Sequence, residues 1–168
     1  MPEADVLLPL LLSAAAAVDV YRHKIPNAIS LGGAFLGLAL WARHNGIAGI
    51  EAGLMGWAVG AAIFLPLYLL KGMGAGDIKL MGAVGTCLGI QHVLWAGITV
   101  ALMGGVIAAW AAASQGRLRA ALRDSLLILT GHLPAARVGS TATPHQVIPY
   151  GLAIAAGTLF YMVLRPVS

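Results

Sequence analysis

Two of the six acidic residues in this 168-residue chain stand where a charge is expensive. Asp19 closes an apolar run in AAAAVDVYRHKIPN, and Asp77 follows a glycine-rich turn and opens another apolar run in GMGAGDIKLMGAVG. The other four occupy unremarkable places: Glu3 and Asp5 at the terminus, Glu51 at the start of an apolar segment, Asp124 among arginines. Ionisable groups at the depth of Asp19 and Asp77 usually face a protein interior or a wet cavity. Delivered to one end of a small bundle, the two carboxyls can meet although positions 19 and 77 are 58 apart. Like charges that close cannot both ionise easily, so one stays protonated while the other serves as a base for water. The chemistry indicated is acid–base hydrolysis by a pair that titrates as a unit. Asp77 stands at a helix start, where the dipole favours an anion, and Asp19 toward a helix end, where it does not. On that ground Asp77 is the expected base and Asp19 the expected acid.

Other roles compete for the same residues. Asp77 before IKLMGAV is also a good helix N-cap, worth about 1 kcal/mol. Asp19 could mark a membrane boundary, paired with Arg22 or Lys24. Both aspartates could instead carry protons or ions in a coupled transporter. Gly72, Gly74 and Gly76 favour chemistry, because they turn the chain around Asp77 without Cβ crowding and let a substrate backbone approach closely.

The elements that must position these residues are membrane helices. The chain is 60% hydrophobic and only 10% charged, against roughly 25% charged in a soluble domain, and nothing in it could coat a soluble surface. The fold class expected is all-α: a polytopic membrane protein with about six transmembrane helices in one compact bundle, a single domain over 1–168. Spans of about 20 apolar residues fall at about 4–21, 28–43, 51–70, 78–91, 93–114 and 148–165. The fourth is short, interrupted by Gln91 and His92, and about 13 helical residues reach only ~20 Å. A span that begins below the membrane surface would leave Asp77 partly recessed.

Basic residues set the expected orientation. Arg22, Lys24, Lys71, Lys79, Arg117, Arg119, Arg123 and Arg137 follow the odd-numbered spans, whereas only Arg43 and Arg165 lie on the other side. Under the positive-inside rule the odd loops are cytoplasmic and both termini outside. The polar stretch 115–147 holds an amphipathic stripe of Leu118, Leu122, Leu126 and Leu129, read as an interfacial cytoplasmic helix, followed by a linker at 135–147. MPEADV lacks the basic start of a signal peptide, so the first span is expected to be retained.

Several residues carry less chemistry. Cys87, the single cysteine, reads as a small packing residue and excludes an internal disulfide or a multi-cysteine zinc site. His23, His44, His92, His132 and His145 show no metal-ligand spacing, and no metal or cofactor is expected. Gly33/Gly37, Gly56/Gly60 and Gly85/Gly89 fit the spacing that lets membrane helices approach closely. Lys24 and Lys79 flank the aspartates, where snorkelling to the interface competes with contact to a substrate. Pro26 and Asn27 read as a turn and the start of the second span.

These blocks resemble a known family. GMGAGDIKLMGAVG is similar to the G-x-G-D signature of the prepilin peptidases, the type IV leader peptidase family of intramembrane aspartic proteases. DVYRHKIPN resembles that family's other aspartate segment, and IPYGLAIAAG at 148–157 its P-Y/F-G block in the last span. The resemblance implies an endopeptidase that removes the short basic leader of prepilins or pseudopilins at the cytoplasmic face, after a glycine preceding the pilin's hydrophobic helix. It implies that Asp19 and Asp77 are catalytic and that Gly74 and Gly76 are motif glycines, with no cofactor. Pro149, Tyr150 and Gly151 are candidates for shaping the cleft opposite the pair, with ordinary packing as the alternative. Longer members carry an N-terminal cytoplasmic region with paired cysteines and also N-methylate the pilin. This chain lacks them, so methyltransferase activity is not expected, and its short form resembles the peptidases of tight-adherence (Flp) pilus systems.

The expectation is therefore an inner-membrane aspartic endopeptidase acting on a prepilin, its partners being that precursor, the bilayer and the pilus-assembly or secretion machinery, with no nucleic acid. A small proton- or ion-coupled transporter and a non-catalytic pilus-assembly subunit are the alternatives.

Overall fold

The computed structural model describes residues 2–22, 26–69, 73–129 and 150–165, and among these every regular element is a helix. They are α1 (Pro2–Arg22), α2 (Asn27–Leu69), α3 (Ala75–Leu88), α4 (Ile90–Ser114), α5 (Leu118–Leu129) and α6 (Tyr150–Leu164). Three helices, α1, α2 and α4, are long and apolar enough to cross a membrane, and α6 is a shorter apolar helix. With large hydrophobic side chains such as Phe35, Trp95, Leu102 and Trp110 exposed on the outside, the chain is an integral membrane protein.

The 43-residue α2 corresponds to two of the expected spans. A straight helix of that length would extend about 65 Å. Instead Gly46 adopts φ 59°, ψ −137°, a left-handed conformation natural to glycine, and the chain reverses there. A Cβ placed on Gly53 would lie 2.9 Å from Cδ2 of Leu38, so residues on either side of the turn pack against each other. The element is a hairpin with arms 27–45 and 47–69.

Helix α3 is the axis of the molecule. Every residue from Leu80 to Leu88 is buried, as expected of a helix that is apolar all round. Glycines explain how it fits. Gly56 of α2 and Gly85 of α3 meet backbone to backbone, each so near the other's carbonyl that a Cβ on either would overlap it, and a Cβ on Gly60 would lie 2.5 Å from the Met81 carbonyl oxygen. The first arm approaches the same helix through Gly37, against Thr86 and Cys87. Cys87 is a free, buried thiol, a packing residue as anticipated.

The end of α3 differs from expectation. The break falls at Gly89, with φ 78°, and α4 starts at Ile90, so Gln91 and His92 belong to its first turn. A positive-φ glycine stops the helix there; the polar pair does not. The exposed carbonyls of a helix end need donors. Gly89 N–H bonds Gly85 O at 2.8 Å, and Trp41 Nε1–H, from the first arm of α2, donates to Thr86 O at 2.8 Å. Trp41→Phe leaves that buried carbonyl without its donor and should lower stability by about 1–2 kcal/mol, read as a shift in the unfolding midpoint of detergent-solubilised protein.

The remaining helices close the bundle. Helix α1 buries one stripe, Ala4, Leu8, Leu12, Ala15 and Asp19, at the spacing of one helical face. Helix α6 is tied to α4 by Thr99 Oγ1 donating to Gly157 O at 2.8 Å and by contact of His92 Nδ1 with Tyr161 Oη. Arg43 and Arg165 both reach the start of α1. Arg43 and His44 pair with Glu3 at 2.6 and 2.9 Å, and Arg165 pairs with Asp5. Helix α5 follows a turn at Gly116 and carries Arg119, Leu122 and Arg123 exposed. The expected linker at 135–147 lies outside the described residues.

Candidate active site

Asp19 and Asp77 come together at the end of the bundle opposite the Glu3–Arg43 and Asp5–Arg165 pairs. Asp19 is 5% and Asp77 8% exposed, and the charge of Asp19 acts on Asp77. Asp19 reaches the interior because it continues the buried stripe of α1 by one further turn. Asp77 does so from the inward side of the first turn of α3, where Gly74 and Ala75 are exposed and Gly76 is partly buried.

Each carboxyl is held by a backbone donor. Gly74 N–H donates to Asp77 Oδ2 at 3.0 Å. Asp77 is not the N-cap that its position in sequence also allowed: Gly74 occupies the cap, and Asp77 is the third residue of the helix, reaching back to the cap's own N–H. This is the carboxylate half of a capping box. Asp19 Oδ2 accepts the N–H of Gly151 at 2.9 Å in a buried hydrogen bond. Asp19 sits in the last turn of α1, yet its carboxyl meets the first turn of α6. The dipole argument that set Asp77 apart as the base therefore no longer distinguishes the two, since each faces a helix N-terminus.

The other candidates divide clearly. Tyr150, half-buried at the start of α6, is near enough to feel the charge of Asp77, and Gly151 touches Asp19. Gly74 donates to Asp77 and is exposed, and Gly76, partly buried, precedes Asp77 in the first turn of α3. Lys79 does not address the carboxyls: its Nζ donates to Asn27 Oδ1 at 3.0 Å. That bond ties the first turn of α3 to the first turn of α2. It gives Asn27 a role beyond starting a helix, and only the three-dimensional contact reveals it. Met73, buried just ahead of the glycine turn, likewise had no signal in sequence. Lys24, Pro149 and Gly72 lie outside the described residues. Among the described residues no group of three or more His, Cys, Asp and Glu side chains converges as a metal site.

What the arrangement offers chemically is a pair of buried carboxyls at one end of the bundle, each accepting one backbone N–H. The sequence model of the type IV leader peptidase family matches residues 6–109, a span that contains both aspartates and the glycine turn. The chain belongs to the type IV leader peptidase family. Its membership makes it a peptidase, and the P-Y-G block at 149–151 lies beyond the matched range. Searches of curated proteins and of solved structures returned no match.

Proposed function

We propose that this peptidase is a membrane-embedded aspartic endopeptidase that removes the short basic leader from prepilins or pseudopilins. It acts as a multi-pass protein of the inner membrane, both termini outside and the aspartates facing the cytoplasm, where the leader of an inserted precursor lies. The single observation that carries this reading is the carboxyl pair: Asp19 and Asp77, both buried at one end of the bundle and each held by one backbone N–H. Grouping the basic residues by side supports the orientation. The wording of the motif blocks favours the tight-adherence (Flp) type.

The pair works with one proton between two carboxyls. The ionised aspartate takes a proton from water as the water oxygen bonds to the scissile carbonyl carbon. The protonated aspartate hydrogen-bonds the carbonyl oxygen and gives it that proton, forming a neutral tetrahedral diol. The C–N bond then breaks as the aspartate that gained the water proton passes it to the leaving nitrogen, and a hydroxyl proton of the diol returns to the other. The products are a leader ending in a carboxyl and a pilin with a free amine. Gly74 and Gly76 leave room for the substrate backbone, and Tyr150 lines the cleft beside Asp77.

Purified protein in liposomes, incubated with a synthetic prepilin, tests the proposal by mass spectrometry of the products. A single cut after the glycine preceding the hydrophobic helix is expected, with a bell-shaped pH dependence set by the pair. Intact substrate, or proton flux without cleavage, would contradict it.

A further inference from the structure

We propose that Gly151 is a positioning residue for this reaction: its N–H holds Oδ2 of Asp19 in place opposite Asp77, and its missing side chain makes the room for that carboxyl. The inference rests on the reading of Asp19 and Asp77 as the catalytic pair.

Among the described residues, Asp19 takes no donor from its own helix. It stands in the last turn of α1, where the free backbone groups are carbonyls and the dipole opposes an anion. A buried carboxyl without a donor is costly, so the donor must come from another element. Helix α6 supplies it. Gly151 stands in the first described turn of α6, and its N–H donates to Asp19 Oδ2 at 2.9 Å.

Space around the contact is equally restrictive. A Cβ on Gly151 would lie 2.8 Å from Asp19 Oδ2 and 3.0 Å from both Cβ and Cγ of Asp19. Even alanine would force the carboxyl to move. Helix α6 cannot easily retreat instead, because Thr99 holds Gly157 and Arg165 pairs with Asp5. With Oδ2 engaged by the N–H, Oδ1 is the oxygen left to exchange a proton. Among the described residues, the titratable group set against Asp19 is Asp77 from α3; Tyr150 from α6 lies near Asp77, while Lys79 is turned to Asn27. One turn of α6 thus addresses both carboxyls, through the Gly151 N–H and the Tyr150 ring.

Two changes at position 151 separate room from hydrogen bond. Gly151→Ala adds a Cβ, whereas glycolic acid incorporated at 151 turns the amide into an ester, removing the N–H and adding no bulk. Prepilin cleavage by the full chain is measured against pH, with thermal unfolding in detergent as the check on folding. Gly151→Ala should lower kcat about 100-fold, the scale of an ångström-sized misplacement, with KM within about twofold of wild type. The ester should move the acidic limb of the kcat profile up by about one pH unit, because the anionic pair loses a donor. Gly104→Ala, on α4 with only Ala153 Cβ nearby at 3.8 Å, should leave both readouts at wild type.

A folded ester variant with an unshifted acidic limb, or Gly151→Ala with wild-type kcat, overturns the inference. If the alanine variant fails to fold, the ester decides alone. Wild type that cuts no prepilin overturns the parent reading and this one with it, whereas wild type that cuts beside unaltered 151 variants sinks only this one.

Discussion

Asp19→Asn and Asp77→Asn should each lower prepilin cleavage by about 10³- to 10⁴-fold, the scale of losing a general acid or base, while leaving the thermal midpoint near that of wild type. The amide is the right probe because it keeps the shape and the acceptor. Its oxygen can still take the Gly151 N–H at position 19 or the Gly74 N–H at position 77, so the fold keeps its hydrogen bonds. It cannot take a proton from water. In the proposed mechanism the two carboxyls work as one unit, so the double variant should be little worse than either single one. A purely structural role for Asp77 in the capping box predicts the opposite outcome, because the asparagine oxygen can still accept the Gly74 N–H. Activity assays with mass-spectrometric quantitation of the product, run beside circular dichroism, separate the two.

The second large effect falls on stability. Gly56→Ala and Gly85→Ala each place a Cβ against the other helix's backbone carbonyl, where no flexible side chain can give way. Each should destabilise by about 3 kcal/mol, toward the upper end of overpacking. The double variant should cost less than the sum, because the first Cβ already forces the second arm of α2 away from α3. Gly105→Ala, with nothing within 4 Å of its Cβ, should be neutral or stabilising by up to about 1 kcal/mol. Equilibrium unfolding in mixed detergent measures all four. Equal costs at positions 56, 85 and 105 would contradict the close α2–α3 contact.

The contrast between these glycines bears on what a sequence discloses. Spacing picked out Gly56/Gly60 and Gly33/Gly37 as contact residues, and they are. It could not say that Gly56 meets Gly85, or that Gly89 serves mainly to turn the chain between α3 and α4. Apolar length disclosed the helices and even the hairpin arms, because the polar residues 43–45 interrupt them. The inward position of Asp19 was also legible, lying a helical turn beyond Ala15 on a face that begins at Ala4. Its donor was not: nothing in periodicity links position 19 to position 151, and only the packing of α6 against α1 brings them together. The same holds for Lys79, which at a helix start has the look of a snorkelling cation and instead bonds Asn27. Asp77 as a third helical residue, not the cap, was hidden because Gly74, Gly76 and Asp77 are all acceptable caps.

The central claim is that Asp19 and Asp77 together cut a prepilin. Co-expression of the full chain with candidate prepilins, followed by gel mobility of the pilin, tests it most directly. The account predicts a leader-length shift with wild type and none with Asp19→Asn or Asp77→Asn. Unimpaired processing by either variant would contradict it.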